Sequence, residues 1–168
     1  MKSKSEIVSD IIDDIRRTFQ VLTEQSRTIE RETGLTGAQL WAVKMLSSRA
    51  PMKVSELARS MYLHPATMVG LLDRLESKGL IKRTRSLTDR RVVHIDLTEQ
   101  GRFVVGKSPE VAQSLLANSL ETLTEQQLTN ISDGLGIVVK IIGAQETPPQ
   151  LIMSSEVNLP RSVEDIID

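Results

Sequence analysis

A chain of 168 residues makes one domain, or a small domain with an extension, and leaves little room for a multi-domain enzyme. With 39% hydrophobic and 26% charged residues it is too apolar for wholesale disorder, and the absence of cysteine closes disulfide, thiolate and Cys-ligated zinc chemistry. The formal net charge of −1 hides an uneven distribution: seven bases face two acids between Arg74 and Arg91, whereas residues 145–168 hold five acids and one base.

Only two Phe, one Tyr and one Trp are present, so the core must be aliphatic, which suits packed helices. Ile7, Ile11, Ile15, Phe19 and Leu22 recur every three or four positions, and Ile29 extends the stripe, predicting one long helix that stops at Gly34. Thr36 and Gln39 form a capping box for a short helix containing Trp41 and Met45 over residues 40–48, with Pro51 beyond its end. Ser55 then caps a compact segment over 56–61. The pair His64-Pro65 starts another helix over 66–78, with proline at the position where a missing N–H costs least and Gly79 as the stop. Val69, Leu72, Leu75 and Leu80 are expected to face inward.

Beyond Gly79 the period changes from helical to alternating. Val93, Ile95 and Leu97 mark a strand with one buried face, and residues 81–84 are its expected partner across a polar, basic loop. The segment Thr98-Glu99-Gln100-Gly101 opens a helix expected to run to about residue 119. Thr124 with Gln127 caps a last helix, in which Leu128, Ile131, Leu135, Val138 and Ile142 draw a narrow seam of the kind used between helices. Pro148, Pro149, Pro160 and the acids then predict a tail beyond about residue 145 with little regular structure.

The stretch LARSMYLHPATMVGLLDRLESKGLIKR followed by DRRVVHIDLTEQG resembles the MarR family of winged helix-turn-helix transcription regulators. The likeness is sharpest where Asp89, Arg91, Ile95, Leu97, Thr98 and Gly101 fit the pattern D-x-R-x-x-x-I-x-L-T-x-x-G. It implies a mainly α fold, a winged helix-turn-helix with a small β-hairpin wing, whose N- and C-terminal helices form a dimerisation region. The division is an N-terminal dimerisation helix (1–34), the DNA-binding module (35–98), C-terminal dimerisation helices (99–144) and an acidic, proline-containing tail (145–168).

On that resemblance the partners are double-stranded DNA and a second copy of the chain. His64, Ala66, Thr67, Met68, Gly70, Leu71 and Arg74 are candidates for the outward face of the recognition helix. Ala66 suits a thymine methyl, Thr67 a base edge and Arg74 a phosphate; Met68 fits core as well as interface, and His64 fits a cap as well as a base reader. Ser55 lies at a helix start, where a phosphate is favoured. By resemblance Arg91 enters the minor groove, with Arg90 the alternative, and Asp89 orients it or caps the loop, while Lys82, Arg83, Arg85 and Arg90 meet phosphates.

The resemblance further implies a small aromatic or phenolic effector between the two regions, with Phe19, Trp41, Met45 and Tyr62 lining its site or else packing as core. The two histidines, His64 and His94, the second expected on an exposed strand face, make neither a metal site nor a catalytic set, so no cofactor and no enzymatic activity are expected. No leader or membrane span is read, which predicts a cytoplasmic protein. The competing reading is a winged-helix interaction protein whose DNA binding is lost or inhibited by the acidic tail.

Overall fold

The computed structural model describes residues 2–86 and 92–147. Helix α1 (Lys4–Thr33) opens on a capping box: the Ser3 hydroxyl accepts from the Glu6 N–H, and the Glu6 carboxylate accepts from the Ser3 N–H at 2.6 Å. Hydrogen bonds to the carboxyl from the Ser3 backbone, foremost, and from the Ser3 side chain hold Glu6 below the usual range. The helix ends at Gly34 in the left-handed conformation. Of its stripe only Ile29 is buried; Ile7, Ile11, Ile15 and Phe19 stay exposed in the single chain.

Helix α2 (Gly37–Arg49) starts one residue after Thr36, whose hydroxyl and the Gln39 side chain form the expected capping box. It is the central post of the core, with Leu40, Ala42, Val43 and Leu46 wholly buried. A two-residue strand, β1 (Met52–Lys53), follows directly, and no periodicity in the sequence announced it. Helix α3 (Val54–Ser60) is capped at Lys53, whose N–H bonds the Glu56 carboxylate at 3.0 Å, so Ser55 lies inside the first turn and is not the cap.

Helix α4 (Pro65–Ser77) begins after His64, whose Nδ1 accepts from the Ala66 N–H at 3.3 Å. Here the inward face differs from expectation: Met68 and Leu71 are fully buried alongside Leu72 and Leu75, whereas Val69 is half-buried. Two adjacent rows on a helix, i and i+4 or i and i+3, widen its apolar stripe, and α2, α3 and β2 pack against α4. Gly79, two residues past the end, has φ +69°, a conformation costly for a residue with a Cβ, and lets the chain reverse into the sheet.

Strands β2 (Ile81–Arg85) and β3 (Val93–Leu97) pair antiparallel, Ile81 opposite Leu97 and Arg83 opposite Ile95, and β1 pairs on the other side of β3 to give the order β1-β3-β2. The wing thus rests on a three-stranded sheet. His94 is half-buried there, not exposed as expected.

The long helix expected after Thr98 is two: α5 (Glu99–Lys107) and α6 (Ala112–Leu120), separated at Ser108-Pro109. A proline removes one hydrogen bond and clashes with the preceding turn, so the helix cannot continue through it. Gly101 explains its place in the motif, because a Cβ there would lie 2.2 Å from the Leu80 carbonyl oxygen and 3.1 Å from Leu97 Cδ2. Helix α5 therefore seats directly on the sheet and the α4 turn.

Helix α7 (Glu125–Ile141) carries the Thr124/Gln127 capping box and runs unbroken through Gly134 and Gly136. Its Leu128, Ile131 and Leu135 are exposed, as are Leu115 and Leu116 of α6. Among the described residues no helix is long and apolar enough to cross a membrane. The core lies under α2, α3, α4 and the sheet, with Leu57, Met61, Leu72, Leu75 and Ile95 at its centre; each such side chain contributes about 1.5–3 kcal/mol relative to exposure.

Candidate nucleic-acid interface

Buried residues hold α4 from behind and leave a short outward surface. Ala66 and Arg74 are exposed and Thr67 and Gly70 half-buried, within the first two and a half turns of the helix. His64 works as the cap, and Met68 and Leu71 lie in the core, so neither apolar side chain is available to a groove. Ser55 is exposed on α3, the helix packed against α4.

The bases of β2 do not share one face. Side chains alternate along a strand, so Lys82 lies opposite in sense to Arg83 and Arg85. Lys82 stands across from Asp96, with Nζ 4.0 Å from its carboxylate, which also meets Arg102 at 3.2 Å. Arg83 turns onto α4: Nη2 lies 2.7 Å from Asp73, Nη1 lies 3.1 Å from Glu76, and Nη2 donates to the Val69 carbonyl at 3.4 Å. The structure thus gives Arg83 three partners inside the fold. The acids at positions 73 and 76, one turn apart, were the sequence signal for this clamp. Arg85 is exposed at the end of the strand. Asp89, Arg90 and Arg91 lie outside the described residues, as does the tail from residue 148.

A second feature lies between α1, the α3–α4 turn, α6 and α7. A groove of about 400 Å³ is walled by Leu22 of α1, Leu116 and Leu120 of α6 and Leu128 of α7, and the polar side chains reaching it are Tyr62, Gln113 and Glu121. Of the four residues expected to line an effector site, only Tyr62 borders it. Trp41 is buried in the core, Met45 packs half-buried against it, and Phe19 stands exposed on α1. The stripe Gln113, Leu116, Ala117 and Leu120, spaced 3, 1 and 3, was the unread pattern that pointed to the groove wall.

Tyr62 occupies the turn between α3 and α4 with φ +55°, uncommon for a residue with a bulky side chain. Its hydroxyl donates to the Glu121 carboxylate, tying that turn to the end of α6. The bond favours the protonated phenol and pushes the Tyr62 hydroxyl above its ordinary pKa.

A helix, a tight turn and a second helix with an outward-facing start, flanked by a two-strand hairpin on one small sheet, define a winged helix-turn-helix protein. The family comparison agrees: the MarR family model matches residues 35–93. The HTH-type transcriptional repressor MdtR of Bacillus subtilis (strain 168) is 32% identical over 147 residues, 88% of this chain and 93% of that protein. The chain belongs to the MarR family. The crystal structure of the YusO protein from Bacillus subtilis, 31% identical, covers 85% of this chain and 99% of its own with a TM-score of 0.52. FabT of Streptococcus pneumoniae, solved in complex with DNA, is 20% identical and shares the fold with a TM-score of 0.53 over 83% of this chain and 98% of its own.

Proposed function

We propose that this chain is a cytoplasmic, homodimeric repressor of transcription that binds a pseudo-palindromic operator in double-stranded DNA and is released by a small ligand. The observation that carries the reading is the split surface of α4: Met68, Leu71, Leu72 and Leu75 fix the helix in the core while Ala66, Thr67 and Arg74 face away from it. Residues near the start of a recognition helix reach base edges, which assigns Ala66 and Thr67 to bases and Arg74, Ser55, Lys82 and Arg85 to phosphates. Arg91 is assigned to the minor groove, with Asp89 orienting it and Arg90 beside it on a phosphate.

The homodimer is supported by the exposed apolar residues Ile7, Ile11 and Ile15 of α1 and Ile131 and Leu135 of α7, which nothing among the described residues covers. On this reading residues 1–34 and 99–144 serve dimerisation, and 35–98 read DNA. The repressor sense follows the MdtR likeness.

Fluorescence anisotropy of a duplex from directly upstream of the protein's own gene, titrated with excess unrelated DNA at two salt concentrations, tests the proposal. Saturable binding that survives the competitor is expected. Thr67→Val should then change sequence preference more than non-specific affinity, and equal losses on all duplexes would remove Thr67 as a base reader.

A further inference from the structure

We propose that the groove between α1, the α3–α4 turn, α6 and α7 binds a lipophilic cation, with the positive centre held between the Glu121 carboxylate and the Tyr62 ring. The inference rests on the reading of the chain as a ligand-released regulator and supplies the chemical class of that ligand. Its warrant is charge. The walls are aliphatic, Leu22, Leu116, Leu120 and Leu128, and the single formal charge among the lining residues is the carboxylate of Glu121, with no Lys, Arg or His in the set. A phenolate or carboxylate would place its charge beside another anion with no base to compensate, whereas a cation finds one partner already in position.

Tyr62 strengthens the match. The residue is 65% exposed, its ring stands beside the same carboxylate, and an aromatic face attracts a cation within about 6 Å of its centre. A carboxylate accepts at about four positions and the phenol uses one, so Glu121 keeps capacity for an ammonium or a polarised C–H next to an onium centre. The groove volume of about 400 Å³ falls within the range of roughly 300–1,000 Å³ common to small-molecule sites, enough for a body of two or three rings. Because Tyr62 belongs to the turn ahead of α4, a cation that draws Glu121 from the phenol acts on the segment from which the recognition helix starts.

Tetraphenylphosphonium and tetraphenylborate have nearly the same shape and opposite charge, and they separate charge from apolar contact. Isothermal titration of each into the full chain without DNA is expected to show saturable phosphonium binding and at least tenfold weaker borate binding. Glu121→Gln should weaken the phosphonium about fivefold while leaving the circular dichroism spectrum unchanged. Tyr62→Phe, which keeps the ring and frees the carboxylate, should bind at least as tightly as the parent. Equal affinity for the two ions, phosphonium binding unaltered in Glu121→Gln, or no binding of either ion because a second copy covers the groove would overturn the proposal. DNA affinity is measured separately on the same samples, so a failure of operator binding is read apart from a failure of cation binding.

Discussion

Replacing Arg83 by methionine keeps an unbranched apolar stem and removes the guanidinium with its charge and hydrogen bonds. The Arg83 side chain is 27% exposed, and its guanidinium meets Asp73 at 2.7 Å and Glu76 at 3.1 Å. Partly exposed ion pairs contribute about 0.5–1 kcal/mol each, so Arg83→Met should cost about 1–2 kcal/mol and lower Tm by about 2–8 °C in a chain of this size. The same variant tells a structural clamp from a phosphate contact. Each phosphate contact contributes about 0.9 to the slope of log K against log salt, so an inward Arg83 leaves that slope unchanged while affinity falls on every duplex alike. Lys82→Met is the counterpart: Lys82 is 61% exposed and only 4.0 Å from Asp96, so stability should barely move and the slope should fall by about 0.9. A reduced slope with an unaltered Tm for Arg83→Met would refute the clamp.

Gly101→Ala adds a methyl group 2.2 Å from a backbone oxygen that cannot yield, and should destabilise by about 2–4 kcal/mol in urea titration although alanine favours helices; an unchanged midpoint would refute the close approach. Tyr62 is the chain's one tyrosine, so absorbance at 295 nm follows it alone. Its titration midpoint should lie above the ordinary value near 10 and fall back in Glu121→Ala. Since the folded pKa is the raised one, this bond's contribution is complete below the unfolded pKa and disappears as pH climbs through the folded value. Ile131→Asp combined with Leu135→Asp should move the sedimenting species from a dimer to the 18.7 kDa of one chain, whereas an intact dimer would show that the α7 seam is not the interface.

Much of this fold was legible because short-range chemistry decides it. Ser, Thr and Gly at helix ends act through bonds spanning three residues, and Thr36, Thr124, His64-Pro65 and Gly34 therefore marked starts and stops near their observed places. What was missed depended on other segments. Met68 and Leu71 face inward because α2, α3 and β2 pack against α4, and β1 exists only because β3 offers it an edge. Pro109 was the exception, a local signal that should have divided the helix after Thr98. At the candidate interface, the sequence could not tell which bases of β2 turn back onto the protein. Arg83 and Lys82 are neighbours in sequence, and only the pleat separates their tasks. Nothing local could have paired Tyr62 with Glu121, 59 positions away.

The division of labour on α4 has a consequence for how such a protein diversifies. The residues that anchor the helix and the residues that face away from it are different positions, so Ala66, Thr67 and Arg74 can be exchanged without touching Leu72 or Leu75. After gene duplication one copy can drift toward a new target while inheriting an unaltered scaffold. If Ala66, Thr67 and Arg74 read DNA as proposed, the scaffold records ancestry and those surface positions record which promoter each descendant came to serve.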